Sequence, residues 1–245
     1  MSARVLFIGG TDSSGGAGLA RDIATAARLG VEAALAVTSV TAQSDRAVIA
    51  MHDLPSEHVA AQIAAAGHVG AVKTGMLANA AIVEAVARSL PDAPLVIDPV
   101  LAASSGRALL DGEGVEALLA LLLPRAAIMT PNLPELAHLA RCLEVARDAP
   151  VQACAEALLA RGCGAVLVKG GHAPPAPLCT DALYTAPHSP PQLFEGPRLA
   201  GKLRGTGCRL AGGIAAALAQ GFDLPAAVAR SRALLMAEFA GLSAP

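Results

Sequence analysis

Short apolar runs alternate with alanine-rich segments of helical period along this chain, and that alternation constrains the fold more than any other feature. Runs of strand length stand at 5–8, 33–39, 71–72, 95–97, 126–129 and 165–168. Several are apolar on both alternations, the pattern of strands covered on both faces. Helical patterns occupy 18–29, 56–66, 80–89, 112–122, 133–140, 151–161, 208–220 and 225–240. Strand then helix, repeated, builds βαβ units and predicts an α/β fold with helices on both faces of a mainly parallel sheet. The 245 residues fit one large domain or two small ones. Hydrophobic residues make up 54% of the chain but aromatic ones only 2%, so the core must be aliphatic.

Charge and cysteine usage narrow the function classes. The net charge is -2, with acids and bases spread evenly. That leaves no electrostatic footprint for nucleic acid and no basic face for a membrane. The longest apolar runs, such as 117–123, are far short of the ~20 residues a bilayer-spanning helix needs. The five cysteines (142, 154, 163, 179 and 208) are odd in number and lack CxxC or zinc spacing. They predict reduced thiols and a cytoplasmic protein.

Ligands on parallel sheets bind outside the carboxyl ends of the strands. Each strand-end segment here carries glycine or polar residues: 9–18 (GGTDSSGGAG), 41–44 (TAQS), 73–76 (KTGM), 98–100 (DPV), 130–135 (TPNLPE), 169–172 (KGGH) and 205–208 (GTGC). The 173–197 stretch is proline-rich and reads as a surface excursion holding a short hairpin, 181–185 with 192–195.

Taken singly, each segment has two readings. Gly205-Thr206-Gly207-Cys208 is either a glycine-rich helix start with an inert thiol, or an anion-binding turn. In the second reading the helix N-terminus lowers the Cys208 pKa and favours a thiolate. Asn132 with Glu135 is a helix capping box, or a phosphate and magnesium site. Lys169 is a surface residue at a strand end, or a cation for a nucleotide. Gln43 is a solvated loop amide, or a donor and acceptor for an aminopyrimidine edge. Met76 and Val100 are core residues, or the walls of a ring pocket. The 9–18 loop is a capped turn or a ligand loop, and it is not GxGxxG. Residues 196–202 match GxxxxGK, but Leu203 stands where a P-loop needs Ser or Thr, and that motif is rejected.

The ordered set GTDSSGGAG, TAQ, KTGM, DPV, TPNLPE, VKGGH and GTGC resembles the bacterial hydroxymethylpyrimidine/phosphomethylpyrimidine kinases of thiamine biosynthesis. These are ribokinase-like enzymes, so the resemblance implies a three-layer αβα sandwich. Cys at 208, where sugar kinases of the superfamily usually have Asp, points toward pyrimidine and pyridoxal kinases. The resemblance implies that Cys208 is the general base, at the end of an anion-hole turn formed by Gly205, Thr206 and Gly207. It places Gln43, Gly10, Asp12, Met76 and Val100 around the substrate. Lys169, Asn132 and Thr206 fall near the nucleotide phosphates, and Glu135 and Asp98 on the magnesium side.

The implied reaction is ATP- and Mg2+-dependent phosphorylation of the hydroxymethyl group, then of the resulting monophosphate. The implied partner is a small molecule, and the implied assembly is a homodimer. A pyridoxal or pyridoxine kinase and a non-catalytic pyrimidine-binding relative are the alternatives. One departure from the family stands beside the motif. Lys202-Leu203-Arg204 replaces the usual Lys-Asn-Thr-His before GTGC, exchanging a polar run for a new cation.

Overall fold

The computed structural model describes residues 3–44, 46–103, 105–173, 177–198 and 203–242, with side chains as far as 240. Its elements are β1 (Arg4–Asp12), α1 (Gly18–Arg28), β2 (Glu32–Gln43), β3 (Val48–Asp53), α2 (Ser56–Ala65), β4 (Ala71–Thr74), α3 (Ala80–Ser89) and β5 (Leu95–Ile97). There follow α4 (Gly112–Ala117), β6 (Ala126–Met129), α5 (Leu133–Cys142), α6 (Val151–Ala160), β7 (Val166–Val168), β8 (Leu178–Tyr184), β9 (Gln192–Pro197), α7 (Thr206–Ala219) and α8 (Leu224–Leu242).

One nine-stranded sheet runs in the order β3-β2-β1-β4-β5-β6-β7-β8-β9. Strands β2, β1, β4, β5, β6 and β7 are parallel; β3 and the β8–β9 hairpin add antiparallel edges. The side chains of β1 show why the central strands are apolar on both alternations. Leu6 and Ile8 join one core with α2 to α6, whereas Val5 and Phe7 join the other with α1, α7 and α8. Small residues bring α7 close to its neighbouring helices. A Cβ on Gly212 would lie 3.2 Å from Asp22 Oδ1 on α1, and one on Gly213 would overlap Ser231 on α8. Larger side chains there would push α7, and the site at its start, away from α1 and α8.

The eight helices lie where the periodicity predicts, with ends shifted by one or two residues, and α4 continuing through a π-helical turn, Leu118–Leu122. Three features differ from expectation. Strand β2 runs on to Gln43, so TAQ is strand, not loop. Strand β3 has a weak apolar pattern and pairs at the sheet edge, where it needs only one buried face. The predicted hairpin forms, but β8 pairs with β7, so it continues the sheet and is no surface excursion. Pro174 and Pro175 lie outside the described residues, as do Leu199 to Lys202 of the rejected GxxxxGK match. Gly196 and Pro197 of that match belong to β9. No helix among the described residues is long and apolar enough to cross a membrane.

Candidate active site

Gly205 opens α7 with a left-handed backbone (φ 70°), which places the turn against the 15–17 loop. A Cβ at 205 would come 2.6 Å from the Gly16 carbonyl oxygen, so two reasons require glycine. Thr206, Gly207 and Cys208 form the first turn of α7. The backbone N–H of Gly18, the first residue of α1, also faces the Cys208 sulfur. Two helix starts therefore converge on one thiol.

The expectation of a depressed thiol pKa is corrected here. Burial pushes Cys208 up to about 11, against the pull of Lys73 and the Gly18 N–H, with Asp22 and Asp98 adding to the rise. Desolvation of a thiolate outweighs the helix ends and the neighbouring ammonium. Cys208 thus holds its proton at neutral pH.

Two lysines flank Cys208. Lys73, at the end of β4, donates to both oxygens of Asp22 on α1, at 3.0 and 2.9 Å. Both side chains are 1% exposed. Burial raises Asp22 to about 6, while Asp22 and the nearby thiol and Asp98 charges overcome burial and raise Lys73. In the sequence Lys73 stands within KTGM with no role of its own, and Asp22 stands in no motif. Their 51-residue separation left no local signal of the pairing.

Lys169 is no surface residue. Its ammonium donates to Asp98 Oδ1 at 2.9 Å and lies 3.7 Å from Glu135 Oε2. The chain at Gly207 passes directly over this group, since a Cβ there would be 3.3 Å from both Asp98 Oδ2 and Lys169 Nζ. Asn132 and Glu135 form the capping box of α5: the Asn132 side chain accepts from the Glu135 N–H, and Glu135 Oε2 from the Asn132 N–H. The bland reading of that motif therefore holds, and the same carboxylate also faces Lys169. Burial raises the Glu135 pKa, with Asp98 adding to the rise and Lys169 opposing it. After Lys169 the chain turns at Gly170, whose N–H donates to buried Asp181 at 2.7 Å. A Cβ at 170 would collide with the Thr180 carbonyl.

On the opposite side of the α7 start, Gly10 and Met76 meet. A Cβ at Gly10 would lie 2.8 Å from Met76 Sδ, and Met76 is buried. The Gln43 backbone is tied to Ser13 Oγ, donating at 2.8 Å and accepting at 3.1 Å, so β2 holds the 12–16 loop. The Asp12 carboxylate is engaged within the protein: Oδ1 accepts from the Ser14 N–H and Oγ, and Oδ2 from Arg204 at 3.0 Å. Val100, half-buried, follows Asp98 in a tight turn closed by its own N–H to the Asp98 carbonyl. The structure thus gathers Gly10, Asp12, Gln43 and Met76 on one side of the α7 start. On the other it gathers Asp98, Asn132, Glu135 and Lys169.

A family model described as phosphomethylpyrimidine kinase matches residues 12–241. A hydroxymethylpyrimidine/phosphomethylpyrimidine kinase of Mycobacterium tuberculosis is 44% identical, over 92% of this chain and 84% of that one. The crystal structure of a phosphomethylpyrimidine kinase from Clostridium difficile has a TM-score of 0.80 and 31% identity, covering 97% of this chain and 99% of that one. A pyridoxal kinase from Staphylococcus aureus in complex with AMP-PCP has a TM-score of 0.85 at 26% identity, covering 96% of this chain and 87% of that one. With the αβα architecture and the ordered strand-end motifs, the match over nearly its whole length shows that this chain belongs to the phosphomethylpyrimidine kinase family, with the ribokinase-like fold.

Proposed function

We propose that this chain transfers the γ-phosphoryl group of ATP to the hydroxymethyl group of 4-amino-5-hydroxymethyl-2-methylpyrimidine and then to the resulting monophosphate, in thiamine biosynthesis. One observation carries the reading: Cys208 and the backbone of Gly207 stand at a helix start directly over the Lys169–Asp98 pair. A thiol for the acceptor on the α7 turn and a cation for the donor phosphates beneath it are therefore brought together.

Each group has a derivable task. The backbone N–H groups at 206–208 point out of the α7 start and stabilise charge developing on the transferred phosphoryl. Cys208 accepts the acceptor's hydroxyl proton. With its pKa pushed up by burial, its thiolate is a strong base and a minor species at neutral pH. Gln43 faces the ring edge of the substrate, and Gly10, Met76 and Val100 bound the ring. Asp12 holds the loop that closes this side. Lys169, Asn132 and Thr206 serve the nucleotide. Asp98 and Glu135 face a single ammonium, leaving one negative charge in excess. That fits a magnesium ion, which takes one or two carboxylates and the phosphates of its nucleotide. Bound there, it would neutralise phosphate charge.

The functional unit we propose is a single kinase domain spanning 1–245, working as a homodimer in the cytoplasm on small molecules, without nucleic acid or membrane. Exposed Val40 and Ile49 on the β2–β3 edge support the dimer, which sedimentation would test. Phosphorylation assays with hydroxymethylpyrimidine, its monophosphate and pyridoxal in parallel test the activity. Faster turnover of pyridoxal would transfer the assignment to the pyridoxal kinases, whose fold the chain shares. Binding without turnover would make it a pyrimidine-binding relative.

A further inference from the structure

The residue just before the α7 turn is Arg204, and its side chain reaches across to the substrate loop. Nη1 donates to Ser14 Oγ at 2.8 Å and Nη2 to Asp12 Oδ2 at 3.0 Å. Its guanidinium lies on Gly16, where a Cβ would come 2.5 Å from Nη1. Its backbone carbonyl accepts from Arg209, which in turn pairs with Glu238. Arg204 is thus held at both ends, three-quarters buried. It lines a cavity of about 80 Å³ together with Gln43, Ser44, Arg46 and Ser105. Two arginines line that cavity; Arg204 is paired with the Asp12 carboxylate, so among the described residues Arg46 brings the charge in excess.

The two acceptors of the proposed reaction differ in charge and in what their chemistry requires. The hydroxymethyl compound is neutral, and its nucleophilic oxygen carries a proton that must leave. The monophosphate is mostly a dianion at neutral pH, because the second pKa of a phosphate monoester is about 6. Its nucleophilic oxygen carries no proton. In the second transfer the bond from that oxygen to Pγ forms, the bond from Pγ to the ADP oxygen breaks, and ADP departs as an anion. No proton is removed from the acceptor. The second step therefore does not require Cys208 as a base, but it brings two dianionic phosphate groups together and requires added positive charge. A fixed guanidinium suits that need, since its planar donors match a phosphate bidentately.

We infer that Arg204, with Arg46 beside it, is the phosphate-recognising residue for the phosphorylated substrate, so that the two transfers depend on different side chains of one turn. Cys208 serves the alcohol; Arg204 serves the monophosphate. This assignment rests on the proposed function and deepens it.

The test is a two-by-two comparison of kcat/KM for hydroxymethylpyrimidine and its monophosphate in Arg204→Gln and Cys208→Ala. Arg204→Gln should lower the monophosphate value tenfold or more relative to the alcohol value, the scale of a lost charged hydrogen bond. Cys208→Ala should lower the alcohol value by a larger factor than the monophosphate value. Arg204→Lys, which keeps the charge, should recover part of the monophosphate preference. Equal loss on both substrates in Arg204→Gln, not relieved in Arg204→Lys, would mean that Arg204 only holds the 12–16 loop, and the inference fails. If the wild-type chain turned over neither pyrimidine, the functional reading would fall, and calorimetry would decide the inference by itself. Tighter binding of the monophosphate than of the alcohol, with the difference shrinking in Arg204→Gln, keeps it. An unchanged ratio removes it.

Discussion

Cys208 stands between two lysine–carboxylate groups that look alike in composition and differ in balance. Lys73 meets one carboxylate, Asp22, through both oxygens, and the pair is sealed from water. Lys169 meets two carboxylates, Asp98 and Glu135, and keeps 13% of its side chain exposed. The first group is neutral and closed. The second carries an excess negative charge and opens beneath the Gly207 turn. A neutral, dry pair has nothing to offer a ligand but holds β4 against α1. An unbalanced, wetter group is the one we propose for a cation and phosphates. The same residue types thus divide into a strut and a proposed binding site by stoichiometry and access.

The comparison breaks first on stability. Lys73→Met strands the buried Asp22 carboxylate, and removing one partner of a buried pair costs about 3–5 kcal/mol. Chemical denaturation should show that loss, and the double variant Lys73→Met with Asp22→Leu should recover much of it. A loss under 1 kcal/mol for the single variant would show that water reaches the pair and that the closed description is wrong.

The contrast also explains what the sequence could reveal. The strand–helix alternation is local, so helix positions and the parallel core followed from periodicity alone. The capping box at Asn132 and Glu135 was likewise visible, because its hydrogen bonds span three residues. Lys73–Asp22 and Arg204–Asp12 span 51 and 192 residues, and no spacing rule reaches so far. The Cys208 pKa failed for a related reason. A helix start is legible in sequence, whereas the burial that raises the thiol comes from packing α7, α1 and β4 together. Edge strand β3 was missed because its apolar run, Val48 to Met51, is short and ends at His52 and Asp53.

On turnover, Cys208→Ala should lower kcat for the alcohol by about 10²-fold or more, the scale of a lost general base. Nearly unchanged kcat would leave Cys208 as a packing residue. Lys169→Gln should raise KM for ATP about tenfold, the scale of a lost charged contact, while costing less stability than Lys73→Met. If instead Lys169→Gln unfolded the protein and Lys73→Met raised KM, the roles of the two groups would be exchanged. The thiol also sets a pH dependence. Its folded pKa lies above its ordinary value of 9.0, so its contribution to stability is complete below 9 and falls away as pH rises through about 11. Over the same span the thiolate fraction grows, so kcat for the alcohol should rise from pH 7 to 9, and Cys208→Ala should flatten that rise. A flat wild-type profile would show that Cys208 orients the hydroxyl without accepting its proton.

The smallest expected effect tests whether the closed pair is electrically silent toward the thiol. Lys73 lowers the Cys208 pKa and Asp22 raises it, so a neutral pair largely cancels at the sulfur. Asp22→Asn keeps an acceptor for the ammonium but removes the compensating charge. Asp98 still supports the protonated form of Lys73, so the lysine keeps its proton across the working range. The uncovered cation then favours the thiolate, and the alkaline rise in kcat should move to lower pH by less than about one unit, a differential interaction of less than about 1.4 kcal/mol. A limb that stays in place would show that Lys73–Asp22 acts on Cys208 only through packing. A limb that moves to higher pH would show that the bare lysine has lost its proton, leaving the thiol without either charge.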